Sequence, residues 1–488
     1  MRSLAAAAAI ILFAEPLAAQ ARGRAIVGPP TRVPGRSGTG IPNGAFLDPG
    51  VIERRPLPAK LGPIPFPPIE RQWVKAETEH FILISGTGEH ATRAVAHDLE
   101  KLTALLTNTS TYFRTPPQRT RIFLFAERRI ALPYFDAVRG YRIDMSGLTL
   151  RHTKGSTMLI DTSARGGAAF TPRHELVHDL LRGHLKPLPL WIEEGLAEYY
   201  SNAGLTVREH VSRLRGRLKM PLLQMFSTTS EDAGAWTYDY YAQSWSTVAT
   251  LMRRSAKSFF ELLQDIDEGT DAAAAIHLRY GMTLKDLEIA MRKVSAPAVS
   301  LLITTIPPGT LEAKPMTRGE LLCELGDLLA RVSGREEEAE RHFRAALDAD
   351  PQNGATHLAY AELLVERPHR AAEARMHAQA ARPYLERAFE RDPRQLDVAF
   401  PLFSLYVESG ERENADRMFN RLVETTRVND ARRLLLDTEV PRADALAREG
   451  KLLEAAKVLR DLAPKMPQKT RANLEGQAVR LESLAAQP

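Results

Sequence analysis

The chain has 488 residues, enough for two or three domains each with its own core. Hydrophobic residues make up 44% and charged residues 26%, values of an ordinary soluble globular protein rather than a disordered or membrane-embedded one. The net charge of +5 is small for this length, and no basic run alternates with aromatics, so nucleic acid is not an expected partner.

Met1-Arg2, an apolar stretch over 4–13 and a small-residue run over 14–21 predict a secretory signal peptide. The apolar stretch is too short to span a bilayer and is interrupted by Glu15-Pro16. The expectation is an exported protein, periplasmic or secreted, with no transmembrane segment after signal cleavage. Residues 22–72 are rich in Pro, Gly and Arg and cannot bury enough apolar surface to offset ordering entropy. They read as an extended or disordered leader.

Order is expected from Trp73 onward. Strands are predicted over 80–85, 120–125 and 157–161. A helix over 89–113 places Val95, Leu99, Leu102 and Leu106 on one face. Thr171-Pro172 is a helix start, and that helix runs to about 181. Further helices are expected over 190–202, 240–255 and 257–266. Strands first and helices second predict an α+β domain over 73–300.

A Pro/Gly-containing stretch over 301–318 reads as a linker, and 319–488 as helical repeats. Ala339, Phe343, Ala346 and Pro351 recur in spacing as Ala381, Leu385, Ala388 and Pro393, and again as Ala455, Leu459, Leu462 and Pro467. A weaker copy is Ala415, Phe419 and Leu422. This pattern resembles the second helix and closing proline of tetratricopeptide repeats, with extra residues in the second copy around 367–378. Such an all-α array presents a surface for a protein partner. The single cysteine, Cys323, lies among Leu321, Leu322 and Leu325 and reads as a buried small hydrophobe. One cysteine excludes an internal disulfide and a multi-thiolate metal site.

Chemistry concentrates in Arg173-His174-Glu175-Leu176-Val177-His178, an H-E-x-x-H pattern. Residues four apart share a helix face, so His174 and His178 can reach one ion, and Glu175 can take a proton from water activated there. Leu176, Val177, Leu180 and Leu181 predict that the helix lies in a core. Downstream, Trp191-Ile192-Glu193-Glu194-Gly195-Leu196-Ala197 follows a proline-interrupted loop.

Together these segments resemble the gluzincin metallopeptidases of the peptidase MA-like group, in which W-x-x-E-G-x-A follows H-E-x-x-H. The resemblance spans about residues 73–265. It implies a gluzincin-like fold, a small sheet with helices carrying the motif, and a Zn2+ cofactor held by His174, His178 and Glu194. It also implies Glu175 as general base, and Glu198, one turn after Glu194, as the outer acceptor that orients a ligand histidine. Tyr241, in Tyr241-Ala242-Gln243-Ser244, matches the tyrosine that stabilises an oxyanion. A rival third ligand is His184, at metzincin spacing, but Leu181 stands where that spacing needs glycine, which favours Glu194. No Glu is found in Gly166-Gly167-Ala168-Ala169 to hold a substrate amine, which speaks against aminopeptidase specificity. The implied activity is zinc-dependent hydrolysis of a peptide or protein substrate. The alternative is an exported protein, inactive or weakly active, whose repeats bind a partner.

Overall fold

The computed structural model describes residues 26–27, 55–56, 62–116, 118–139, 141–142, 146–152, 155–163, 170–181, 188–201, 220–230, 232, 238–293, 311–365, 367–393, 395–425 and 428–486. The signal peptide over 1–21, most of the leader, Gly166 to Ala169, His184 and the first part of the linker lie outside them. The described residues are mostly helical, with a seven-stranded mixed sheet and a two-stranded pair, and the chain falls into two units that divide between Thr317 and Arg318.

The first unit is built on strands β1 (Ile26–Val27), β3 (Val74–Glu77), β4 (Phe81–Ser85), β5 (Thr120–Phe125), β7 (Gly147–His152), β8 (Gly155–Asp161) and β9 (Ala313–Pro315). Their order across the sheet is β1-β7-β8-β5-β4-β3-β9, with β4, β5 and β8 parallel and the other pairings antiparallel. A separate pair joins β2 (Arg55–Pro56) to β6 (Tyr141–Arg142). Two pieces of the expected leader therefore form strands, and the end of the expected linker is the sheet's last strand. Their shortness, two or three residues each, leaves no alternation for sequence to display.

The central strands read as unbroken apolar runs because the sheet is covered on both faces. Ile122 and Leu124 of β5 join a core with helix α1 (Glu89–Thr109) and helix α3 (Thr171–Leu180). Phe123 and Phe125 point the other way, and Phe125 stacks on Tyr134 of helix α2 (Arg128–Arg139) at 5.6 Å.

Helix α3 carries H-E-x-x-H and is buried on every side except at Arg173. Two anchors fix it. Arg173 pairs with Asp98 of α1 through both ends of its guanidinium. Asp179, fully buried, accepts hydroxyl hydrogen bonds from Thr120 of β5 at 2.6 Å and Ser156 of β8 at 2.5 Å.

Helix α4 (Leu190–Ser201) packs on α3, and α5 (Leu222–Ser227) on α4. Helix α6 (Tyr238–Arg254) crosses α4 closely, followed by α7 (Ala256–Asp267), α8 (Ala272–Tyr280) and α9 (Leu284–Met291). Gly195 sets that crossing: a Cβ there would lie 2.5 Å from Val248 Cγ2 and 2.6 Å from the Ser244 carbonyl oxygen.

Among the described residues the second unit's regular elements are all helices. Its helices are α10 (Arg318–Ala330), α11 (Glu336–Ala349), α12 (Gly354–Val365), α13 (Ala371–Arg391), α14 (Leu396–Glu408), α15 (Arg412–Thr425), α16 (Val428–Arg448), α17 (Leu452–Leu462) and α18 (Gln468–Ala485). The recurring Ala339, Ala415 and Ala455 are buried in the first turns of α11, α15 and α17, and Ala381 is buried in the middle of α13. These small residues let successive helices approach, which is the tetratricopeptide-like arrangement. The extra residues of the second copy are absorbed into the 21-residue helix α13. Cys323 is buried on α10.

A charged network ties α11 to the helices after it. Glu340, largely buried, meets Arg344, Arg367 and Arg370 and accepts from the Tyr360 hydroxyl at 3.0 Å. Burial alone would raise its pKa. The bonds from Arg370, Tyr360 and Arg367 and the charge of Arg344 outweigh that and hold it at about 2.

Two measurements follow from this packing. Gly195→Ala should destabilise the first unit by about 1–3 kcal/mol through overpacking, read as a lower midpoint of thermal unfolding. The Glu340 carboxylate, with its folded pKa depressed, stabilises fully above its ordinary value near 4.5 and loses that contribution as pH falls toward about 2. Acid titration of stability should therefore fall more steeply over that window in the native protein than in Glu340→Gln, which should start less stable at neutral pH.

Candidate metal centre

Helix geometry places His174 and His178 one turn apart on α3, and Glu194 reaches them from α4. The two Nε2 atoms are 3.1 Å apart. Glu194 Oε2 lies 3.4 Å from His174 Nε2 and 3.5 Å from His178 Nε2. All three side chains are buried, and they form the one group of this kind found among the described residues. Donors held at 2.0–2.1 Å around a tetrahedral zinc are separated by about 3.3 Å. The observed triangle fits that spacing on every side. Its donor set, two imidazoles and a carboxylate, is also a common one for zinc with an open fourth position. Glu194 is buried, and apart from the two imidazoles its carboxylate oxygens meet no hydrogen-bond donor among the described residues, although buried carboxylates are ordinarily satisfied.

Electrostatics bind the group together. Burial would lower the His174 pKa, but hydrogen bonding and negative charge from Glu194 and Glu198 outweigh it and raise it above the ordinary imidazole value. Burial would raise the Glu194 pKa, and the charge of His178 with bonds to both histidines brings it below the usual carboxylate value. Protons and a cation compete for these same atoms.

Glu198 stands one turn along α4 from Glu194, with its Oε1 3.4 Å from His174 Nδ1 on the far side of the ring. That is the position from which a carboxylate fixes the tautomer of a ligand histidine. Tyr241, at the start of α6, has its ring 6.2 Å from that of His174. Burial first, then the charges of Glu194, Glu198 and Glu175, push its phenol pKa well up, so the hydroxyl stays protonated.

Glu175 follows His174 on α3 and is buried, its charge acts at Tyr241, and its Oε2 accepts from the Thr149 hydroxyl of β7 at 2.6 Å. Thus His174, Glu175, His178, Glu194, Glu198 and Tyr241 are brought to one place. His184 lies outside the described residues.

Three contributors were not anticipated from sequence. Thr149 and Gly147 lie on a strand whose period-2 pattern, Leu148 and Leu150 alternating with them, was a usable signal. Asp179 sits in the motif's next position, where an acidic residue on a buried helix marks a paired group.

No family model matches the chain. A stretch of 89 residues is 37% identical to Protein O-mannosyl-transferase Tmtc2 of Drosophila melanogaster, covering 18% of this chain and 9% of that protein. The chain therefore spans a small fraction of that relative's length. The match is consistent with the tetratricopeptide-like content of the second unit. The family assignment made from the motifs is corrected: membership of the gluzincin, peptidase MA-like group has no support in either comparison. The physical reason is that H-E-x-x-H and W-x-x-E-G-x-A together constrain few positions. Such helix-borne spacings can arise on unrelated scaffolds.

The anchoring of α3 is testable. Asp179→Ala removes the acceptor of two buried hydroxyls and should cost about 2–4 kcal/mol, measured by denaturant unfolding of the full chain.

Proposed function

We propose that the protein is exported and works through two parts: helical repeats that bind a protein partner, and a zinc centre in the first unit that serves hydrolysis of a peptide or protein substrate. The observation that carries the second part is the buried triangle of His174 Nε2, His178 Nε2 and Glu194 Oε2, with sides of 3.1, 3.4 and 3.5 Å. The similarity to Tmtc2 supports the first part and favours a repeat-mediated role over a proteolytic one. Hydrolysis rests on geometry alone.

His174, His178 and Glu194 would hold the ion. A zinc ion held by such ligands supplies an electrophile for a carbonyl and eases deprotonation of water. The remaining chemistry belongs to the chain. Glu175 is the carboxylate beside the ligands that accepts a proton and returns it to a leaving amine. Glu198 holds His174 through Nδ1 and leaves Nε2 for the shared point. The Tyr241 hydroxyl, kept protonated, donates to an oxygen that gathers negative charge. The surrounding helices exclude water, which strengthens each of these interactions.

The second reading is that the centre only stabilises the fold while the repeats do the work. Complete burial of the ligands is also what a structural metal site has. Glu175 and Tyr241 argue the other way, because a structural site needs neither a base nor a phenol next to its ligands.

Glu175→Gln separates the two readings. It should retain the metal of the native protein and lose cleavage of an unfolded-protein substrate by at least about 100-fold. Equal cleavage by both proteins overturns Glu175 as the proton-transfer group, and no cleavage by the metal-loaded native protein leaves the repeat-mediated role standing alone. Glu198→Gln should weaken metal binding by about 10–100-fold, read by chelator competition.

A further inference from the structure

The H-E-x-x-H helix meets the sheet at β7, and two residues of that strand shape the place where Glu175 sits. Gly147 and Thr149 are two apart, so they face the same side of the strand. Thr149 is fully buried, and its hydroxyl donates to Glu175 Oε2 at 2.6 Å, with the Glu175 main-chain oxygen 3.4 Å away. A side chain at Gly147 would occupy the space of Glu175 itself: a Cβ there lies 2.6 Å from Oε1, and against the Thr171 methyl as well. Oε2 is therefore held by a donor while Oε1 lies over a position that no larger residue could fill. The strand is itself fixed, because β7 pairs along its whole length with β8, from Gly147 opposite Ile160 to His152 opposite Gly155.

A buried glutamate has three side-chain torsions and loses considerable freedom when it is held. A carboxylate held in one orientation beside the ligands spends no time in rotamers that face away. Misplacement of a reacting group by about 1 Å costs on the order of 100-fold in rate.

We propose that Gly147 and Thr149 form a seat that fixes the Glu175 carboxylate in one orientation, and that Thr149 is its positioning residue. The proposal rests on Glu175 being the proton-transfer group. Their contacts run to Glu175 and, from Gly147, to Thr171, so the seat acts on the base.

The test compares the native full-length protein with Thr149→Ser, which keeps the hydroxyl, and Thr149→Val, which keeps the shape and loses it. Bound zinc, measured by elemental analysis, should be the same in all three and serves as the check on folding. In crystal structures of the three, Glu175 should keep its orientation in the native and serine proteins and leave it in the valine protein. With a cleavable peptide, kcat should fall about 100-fold in Thr149→Val at unchanged KM, and serine should restore most of it. An unmoved Glu175 in Thr149→Val overturns the proposal, as does a serine protein no better than the valine one. If the zinc-loaded native protein cleaves nothing, the hydrolytic function fails, and the crystallographic comparison still decides the seat.

Discussion

Two imidazoles and a carboxylate share one dry point in the first unit, and the rest of that unit is arranged to keep them there. Removing a carboxylate from water is costly unless a positive partner compensates. Here the compensation is mutual, since each acidic group faces a histidine within about 3.5 Å. The sheet serves this arrangement by gripping α3 through Asp179, with hydroxyls from β5 and β8, and α1 grips it through Arg173. The crossing of α4 over α6 then sets where Glu194 arrives, and Gly195 is what allows the crossing.

Much of this was legible in the sequence for a simple reason. His174 and His178 are four apart on a strongly signalled helix, so their convergence follows from helix geometry alone. Glu194 comes from a second helix, and its approach depends on a tertiary crossing. What pointed to it was the resemblance of Trp191 to Ala197 to the gluzincin pattern, and the glycine in that pattern is the residue the α4–α6 contact requires. Glu198 followed from Glu194 by one turn. The repeats were legible because Ala339, Ala381 and Ala455 recur at one spacing from their apolar neighbours, and each is buried.

The parts that escaped were those whose meaning is set by partners distant in sequence. β7 was passed over although Leu148 and Leu150 alternate, and with it went Thr149 and Gly147. β1, β2 and β9 are too short to carry a period, so the leader and linker looked featureless. The family assignment failed on different grounds: it rested on a few helix-spaced residues. The geometry of those residues is in the structure, while the ancestry they resembled finds no support in the comparisons. Site and family are separate inferences, and here only the first has observations behind it.

The most direct measurement is zinc stoichiometry of the purified full-length protein beside Glu194→Ala. The account predicts one zinc per chain in the native protein and a sharp loss in the variant, with the helical content of the two alike. A native protein that takes up no zinc after reconstitution, or a variant that holds it as well, would contradict the metal centre and leave the repeats as the working part.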